Sequence, residues 1–137
     1  MKFFQKHRRQ DPVFGLMEYA GSYWEGNADF PFDPPHLAVA VRGGKDDDMA
    51  IQRQFYKEFV SDWPQLKPVV FAFISKQNWK LHPESSEGQL KLGAVTIPKG
   101  SLVDAEWNLV FDGATPDGAV MTIHMKGREP YSFAVDD

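Results

Sequence analysis

The fold is decided by residues 46–79, which read DDDMAIQRQFYKEFVSDWPQLKPVVFAFISKQNW. Large apolar side chains recur there at intervals of four residues, which is the spacing of one face of an α-helix. They are Ile51, Phe55, Phe59 and Trp63. The aspartates at 46–48 suit the start of a helix because their charge complements the positive end of the helix dipole. The pattern predicts an amphipathic helix with an aromatic buried stripe, beginning at these aspartates.

Two prolines, Pro64 and Pro68, interrupt the same stretch. Proline lacks a backbone N–H and its ring clashes with the preceding turn, so it is tolerated mainly in the first turn of a helix. We therefore expect the first helix to end near Trp63. A second helix is predicted from Pro68 to about Trp79.

A β-hairpin is predicted before the helical stretch by two segments of alternating pattern. They flank Gly21-Ser22, a pair that suits a two-residue type II′ turn. That turn places Tyr19 opposite Trp24 and makes every residue on their face apolar or glycine. The proline-rich residues 31–35 end the hairpin. A third strand is predicted over residues 36–42.

The other face of this hairpin carries Glu18 opposite Glu25, and Phe14 opposite Asp29. Like charges directly opposite each other destabilise a strand pair. A pair of carboxylates could serve acid–base or metal chemistry, or receive a basic group from a partner. Two exposed, divergent side chains are the simpler interpretation.

A second hairpin is predicted after the helical stretch. Residues 102–111 and 119–125 alternate between apolar and polar, and residues 112–118 have the composition of a turn. If the hairpin is centred on Thr115, Glu106 lies opposite His124. The same pairing places Asp104 opposite Lys126, and each complementary pair contributes roughly 0.2–1 kcal/mol.

Two further strands are predicted, over residues 90–97 and 131–135. The order is then β-β-β-α-α-β-β-β, with one further strand possible. Runs of strands around a helical pair predict a single α+β domain over residues 1–137. Its mostly antiparallel sheet has six to seven strands, with two helices packed on one face. Residues 1–10 include Lys2, Lys6, Arg8 and Arg9, and they are predicted to form a flexible basic arm.

The composition excludes several classes of protein. The 137 residues include no cysteine, which excludes disulfides, thiolate nucleophiles, zinc ribbons and iron–sulfur clusters. A formal net charge of −4 argues against duplex nucleic acid as the main partner, because phosphate binding needs a basic surface. The longest apolar run, residues 69–74, is far shorter than the roughly 20 residues of a membrane span. With no secretory pattern at the N-terminus, we expect a cytoplasmic protein.

Motifs for catalysis or cofactor binding are missing from the sequence. Gly43-Gly44-Lys45 lacks the remainder of a phosphate-binding loop, and the histidines lack the spacing of a helical zinc site. We therefore predict no cofactor and no metal. The predicted pair of Glu106 and His124 leaves open a hydrolase-type enzyme, since a Glu–His pair is common in acid–base sites. An ordinary surface pair is the simpler interpretation.

Aromatic residues make up 14% of the chain. Six of them fit the predicted core faces, including Phe55 and Phe73. The other four could line a pocket for a small apolar ligand between sheet and helices: Trp24, Phe59, Trp63 and Trp107. Others do not fit those faces, and a surplus of aromatic side chains at the surface is typical of a protein interface.

Two short motifs resemble a known group of proteins. Residues 11–15 (Asp-Pro-Val-Phe-Gly) and 23–26 (Tyr-Trp-Glu-Gly) are similar to the opening of a group of small uncharacterised bacterial domains. In that group a D-x-x-F-G strand precedes a W-x-G strand and a helix with a Phe-rich seam. Residues 107–112 resemble its C-terminal strand. Some members resemble immunity proteins that neutralise a neighbouring toxin, so the resemblance implies a bacterial binding protein and supplies no catalytic residues.

The leading hypothesis is a non-enzymatic, immunity-like protein-binding module that presents an acidic and aromatic surface to a basic protein partner. The residues predicted to contact the partner are Glu18, Glu25, Asp104, Glu106 and His124. The apolar-ligand pocket and the Glu–His enzyme remain as alternatives. The sequence does not indicate an oligomeric state.

Overall fold

The computed structural model describes residues 7–77, 90–114 and 118–136. These residues form eight strands and one helix. In chain order the elements are β1 (Arg8–Asp11), β2 (Gly15–Tyr19), β3 (Tyr23–Asp29), β4 (His36–Arg42), α1 (Ala50–Lys76), β5 (Lys91–Ile97), β6 (Glu106–Asp112), β7 (Val120–Lys126) and β8 (Glu129–Asp136).

All eight strands belong to one sheet, in the order β1 to β8. Neighbouring strands are antiparallel except β4 and β5, which are parallel because α1 connects them. The predicted α+β arrangement of two helices and six to seven strands is therefore wrong. The described residues contain one helix and an eight-stranded mixed sheet.

The single helix runs through both prolines. Pro64 and Pro68 are exposed and one turn apart on the solvent side of α1, where water can bind the carbonyls that lose a donor. The buried stripe keeps its phase across both positions: Phe59, Trp63, Leu66, Val70 and Ile74 are all buried. Packing of this continuous stripe outweighs the cost of the two prolines. Trp79, the predicted end of a second helix, lies outside the described residues.

The core lies between α1 and one face of the sheet, here termed the inner face. Inward residues of the strands join the stripe of α1 in one buried cluster. The strand residues of that cluster include Met17, Trp24, Leu37, Val39, Val41, Val95, Ile97, Trp107, Leu109, Phe111, Met121 and Ile123.

The first predicted hairpin is confirmed near its turn, where Tyr19 pairs with Trp24 and Glu18 with Glu25. Farther from the turn the prediction is wrong, because Phe14 is fully buried in the core instead of lying opposite Asp29 on the polar face. Residues 12–14 form a turn between β1 and β2, and Gly15 completes it with a φ of 66° that favours glycine.

That turn is held by Asp11, whose side chain is buried. Its Oδ2 accepts hydrogen bonds from the amides of Val13 at 2.9 Å and Phe14 at 3.0 Å. Its Oδ1 accepts from Arg53 Nη2 of α1 at 2.8 Å. Burial by itself raises the pKa of Asp11, but the bonds from Arg53 and the two amides outweigh burial and leave the pKa below its usual value. The turn is thereby tied to the helix.

This turn places residues 8–10 in strand β1, antiparallel to β2. They belong to the segment predicted as a flexible basic arm. Lys2 and Lys6 lie outside the described residues.

The second hairpin has a register different from the predicted one by two residues. Glu106 lies opposite Lys126, and His124 lies opposite Asn108. A shift of two keeps each side chain on its predicted face, so the alternation of the sequence cannot detect it. The predicted centre, Thr115, lies outside the described residues.

No helix in the described ranges has the length and apolar character needed to cross a membrane.

Candidate functional site

The candidate site is the face of the sheet that points away from α1, here termed the outer face. Side chains alternate between the two faces of a strand, so the outer face holds the residues between the buried ones. Its central part consists of small side chains, most of them half-buried: Ala38, Ala40, Ala94, Thr96, Val110, Thr122, Ser132 and Ala134.

The strand register aligns one residue of every strand in a single row across this face. In strand order the row is Arg8, Glu18, Glu25, Ala40, Thr96, Asn108, His124 and Ser132. At the usual spacing of about 4.8 Å between strands, the row is about 34 Å long. It contains three of the five residues predicted to contact a partner: Glu18, Glu25 and His124.

One end of the row is acidic. Arg8 Nε lies 3.1 Å from Glu18 Oε1, which reduces the repulsion between Glu18 and Glu25. Within the described ranges, the Glu25 carboxylate accepts one long hydrogen bond, of 3.3 Å, from the Tyr23 hydroxyl. Among the described residues no cation lies within ion-pair distance of Glu25. Its carboxylate is exposed and accessible to a cation from outside the chain.

The other end of the row is a polar and aromatic cluster. His124 Nδ1 lies 2.9 Å from the Asn108 side-chain oxygen, an acceptor to which the imidazole can donate in the tautomer protonated at Nδ1. The Tyr131 ring lies beside the imidazole, with ring centroids 6.2 Å apart. Since an amide does not exchange protons near neutral pH, the partner of His124 is not an acid or base. The predicted pairing of Glu106 with His124 is wrong, because Glu106 lies opposite Lys126.

A groove crosses the outer face beside this row. It consists of three adjoining depressions of about 410, 360 and 160 Å³, and Thr96 borders all three. Glu25 borders the first, Arg42 the second and third, and Glu106 the third. We term it the outer groove. Its charged groups therefore follow the order negative, positive, negative.

Arg42 is the charged residue of this groove that the sequence analysis missed. It ends β4 and lies opposite Tyr23 of β3. The alternation of residues 36–42 predicts that Arg42 points away from the core, and this was the available signal. Its position between Glu25 and Glu106 depends on the parallel pairing of β4 with β5.

The two remaining predicted contact residues, Asp104 and Glu106, lie near the beginning of β6. Glu106 begins β6 and borders the outer groove. Asp104 is exposed in the turn before β6, where its amide bonds to the Ser101 carbonyl at 3.4 Å. The prediction that Asp104 lies opposite Lys126 is therefore wrong. The structure places four of the five residues on the outer face and Asp104 in the adjoining turn.

The residues predicted to line an apolar pocket are packed in the core and do not surround one common cavity. Trp24, Phe59, Trp63 and Trp107 are each at most 4% exposed. The Phe59 ring packs against Trp63 and Trp107, with centroids 5.5 Å apart in both cases. Of the four, Trp63 borders a cavity of about 460 Å³ between α1 and the sheet.

Two of the three aspartates at 46–48, Asp47 and Asp48, stabilise the start of α1. Asp48 Oδ1 accepts from the Ala50 amide at 3.0 Å, and Asp47 Oδ2 lies 2.8 Å from Lys99 Nζ. Burial by itself raises the pKa of Asp47, but Lys99 and the Met49 amide outweigh burial and lower it. Within the described ranges, no three histidine or carboxylate side chains are grouped so that they could hold a metal ion.

Comparisons with protein-family models, with curated proteins and with solved structures found no match, so the geometry of the outer face carries the functional argument.

Proposed function

We propose that this chain is a non-enzymatic protein-binding module that receives a basic partner protein on its outer face. The observation that carries the proposal is the strand register, which aligns Glu18, Glu25 and His124 across a sheet face that α1 does not cover. Glu106 joins them at the outer groove.

The size and shape of the outer face suit a protein better than a small molecule. A row about 34 Å long is comparable to the width of a standard interface, which buries about 800 Å² on each partner. The small side chains on β4 and β5 allow a partner to approach the backbone closely. Tyr23 borders the outer groove at one end and Tyr131 at the other. Tyrosine is enriched at the energetic centres of interfaces.

The charges of the outer groove favour a basic partner. Glu25 and Glu106 form no ion pair with any of the described residues, and Arg42 lies between them. A partner with two cations flanking an anion complements this order. Such complementarity chiefly sets specificity and the rate of association. It also agrees with the immunity-like resemblance, since an acidic protein in such a pair often covers a basic toxin.

Affinity capture with matched charge-reversal variants tests the proposal. The chain, a Glu25→Lys/Glu106→Lys variant and an Asp46→Lys/Glu58→Lys control are tagged and used on lysate from the native source. The control makes the same change of charge on the helical side of the molecule. We expect one stoichiometric basic protein to bind the unchanged chain and the control, to dissociate in high salt, and to be lost from the Glu25/Glu106 variant.

Two results would contradict the proposal. One is the capture of the same partner by all three proteins, which would place its contacts elsewhere. The other is that no stoichiometric partner is captured by the unchanged chain.

A further inference from the structure

We propose that the cavity between α1 and strands β5 and β6 binds an amphipathic anion, namely a single-chain carboxylate with an apolar tail. The cavity measures about 460 Å³, within the range of about 300–1,000 Å³ typical of small-molecule sites. It lies on the helical side of the sheet, so this inference does not depend on the function proposed for the outer face.

Part of the cavity wall is apolar, and its side chains come from both layers of the fold. Trp63 and Phe71 belong to α1, Leu92 to β5 and Phe111 to β6. The Phe71 and Phe111 rings meet edge to face, with centroids 5.5 Å apart. These surfaces suit the tail of an amphiphile, since burial of apolar area drives its transfer from water.

The charged groups of the cavity favour an anionic head group. Lys67 and Lys91 border the cavity, together with one carboxylate, Asp33. Lys91 Nζ lies 3.9 Å from Asp33 Oδ2, the long limit for an ion pair, and both side chains are exposed. Such a pair contributes little and can rearrange. Lys67 has no carboxylate partner among the described residues, and its Nζ lies 5.9 Å from the centroid of the Phe71 ring.

The burial of the walls favours a single molecule over a membrane surface. Trp63, Leu92 and Phe111 are at most 4% exposed, and Phe71 is 7% exposed. A bilayer needs an apolar patch that projects from the surface, whereas these side chains are almost fully enclosed by the protein. The ligand must therefore leave its bilayer or micelle and enter as a monomer.

Titration calorimetry with decanoate, below its micelle concentration, tests the inference. We expect binding of one decanoate per chain, with an affinity that falls about fourfold for each methylene removed from the tail. Decyltrimethylammonium has the same tail and the opposite charge, and we expect it not to bind. Vesicles of an anionic phospholipid test the membrane as a source, and we expect no binding to them.

A charge-reversal variant locates the head group. In Lys67→Glu/Lys91→Glu we expect the affinity for decanoate to fall at least tenfold. The matched control Lys45→Glu/Lys57→Glu changes exposed lysines that do not border the cavity, and its affinity should equal that of the unchanged chain. All four side chains are at the surface, so circular dichroism should show that each variant is folded.

Three outcomes would overturn the inference: no heat of binding up to the solubility limit of decanoate, equal binding of the cationic amphiphile, or equal loss of affinity in both lysine variants. Binding to vesicles without binding of monomeric decanoate would replace the carboxylate with a lipid surface. Because capture of a basic protein tests the outer face alone, either proposal can fail while the other survives.

Discussion

The two faces of the sheet are built from the same strands, yet they differ in almost every physical respect. The inner face holds large side chains such as Trp107 and Phe111, which are at most 3% exposed. The outer face at the same strands holds Ala94, Thr96 and Val110, together with charged groups that have few partners. The stability of the fold therefore depends on the side chains of the inner face, and those of the outer face can be replaced at a smaller cost.

Neighbouring residues of β6 give the sharpest test of that difference. Leu109 is fully buried on the inner face, and Val110 is half-buried on the outer face. We expect Leu109→Ala to lower the free energy of unfolding by about 2–5 kcal/mol, because it removes packed atoms and leaves a cavity. The outer control Val110→Ala should cost less than about 1 kcal/mol. Urea denaturation measures both, and equal losses would mean that the two faces are equally packed.

Asp11 provides the next largest effect, because it is a charge buried on the inner side. Its carboxylate accepts hydrogen bonds from two backbone amides and two more from Arg53, whose side chain is 28% exposed. We expect Asp11→Ala to cost about 1.5–3 kcal/mol at neutral pH, the value of hydrogen bonds to a charged group.

The pH dependence of that loss follows from the lowered pKa of Asp11. In the folded chain the pKa lies below the ordinary value of 3.8, so the ionised form stabilises the fold above that value. The difference in stability between the unchanged chain and Asp11→Ala should therefore be full at neutral pH. It should shrink as the pH falls below 3.8 through the folded pKa. A difference that grows on acidification would contradict the assigned ion pair.

The prolines of α1 test whether the inner face is covered by one helix. Replacing Pro68, which is exposed, by alanine restores a donor within a continuous helix. We expect Pro68→Ala to raise the free energy of unfolding by about 1–3 kcal/mol. The upper limit is the full difference in helix propensity between proline and alanine. The exposed alanine variant Gln65→Ala is a control and should change it by less than about 0.5 kcal/mol. No gain from Pro68→Ala would favour two helices that end at the prolines.

The smallest expected effect on stability is on the outer face itself. Glu25→Lys replaces a carboxylate that lies opposite Glu18 with an ammonium. The free energy of unfolding should change by less than about 0.5 kcal/mol, since an exposed pair across strands is weak. If the same variant loses the captured partner, the face serves binding and contributes little to the fold. A large loss of stability would instead make Glu25 a structural residue.

Local features of the sequence predict local structure well. Gly21-Ser22 fixed the pairing of Tyr19 with Trp24, and the strand over residues 36–42 is present as predicted. The prediction of two helices is wrong because packing of the unbroken buried stripe outweighs the cost of proline inside a helix. That phase was readable, since Leu66 and Val70 continue the spacing of Phe59 and Trp63.

The candidate site was only partly predictable. Alternation identifies the outward residues of each strand but cannot align one strand with another. The alignment of Glu25 with His124 passes through the parallel pair of β4 and β5, for which no turn in the sequence sets the register. The shift of two residues in the second hairpin was not predictable either, because alternation is unchanged when a strand moves by two residues. The faces could be read from the sequence, and the row across them could not.

The parallel pair of β4 and β5 has a consequence for how the chain folds. Val39 of β4 pairs with Val95 of β5, whereas the other strands pair with neighbours across short connections. Closing so long a loop is entropically costly and slow, so each four-stranded half can form early and the seam between them should close last. The row of the outer face crosses this seam. A partner that binds residues on both sides of the seam would recognise only chains that have completed folding. Its binding free energy would add to the stability of the seam.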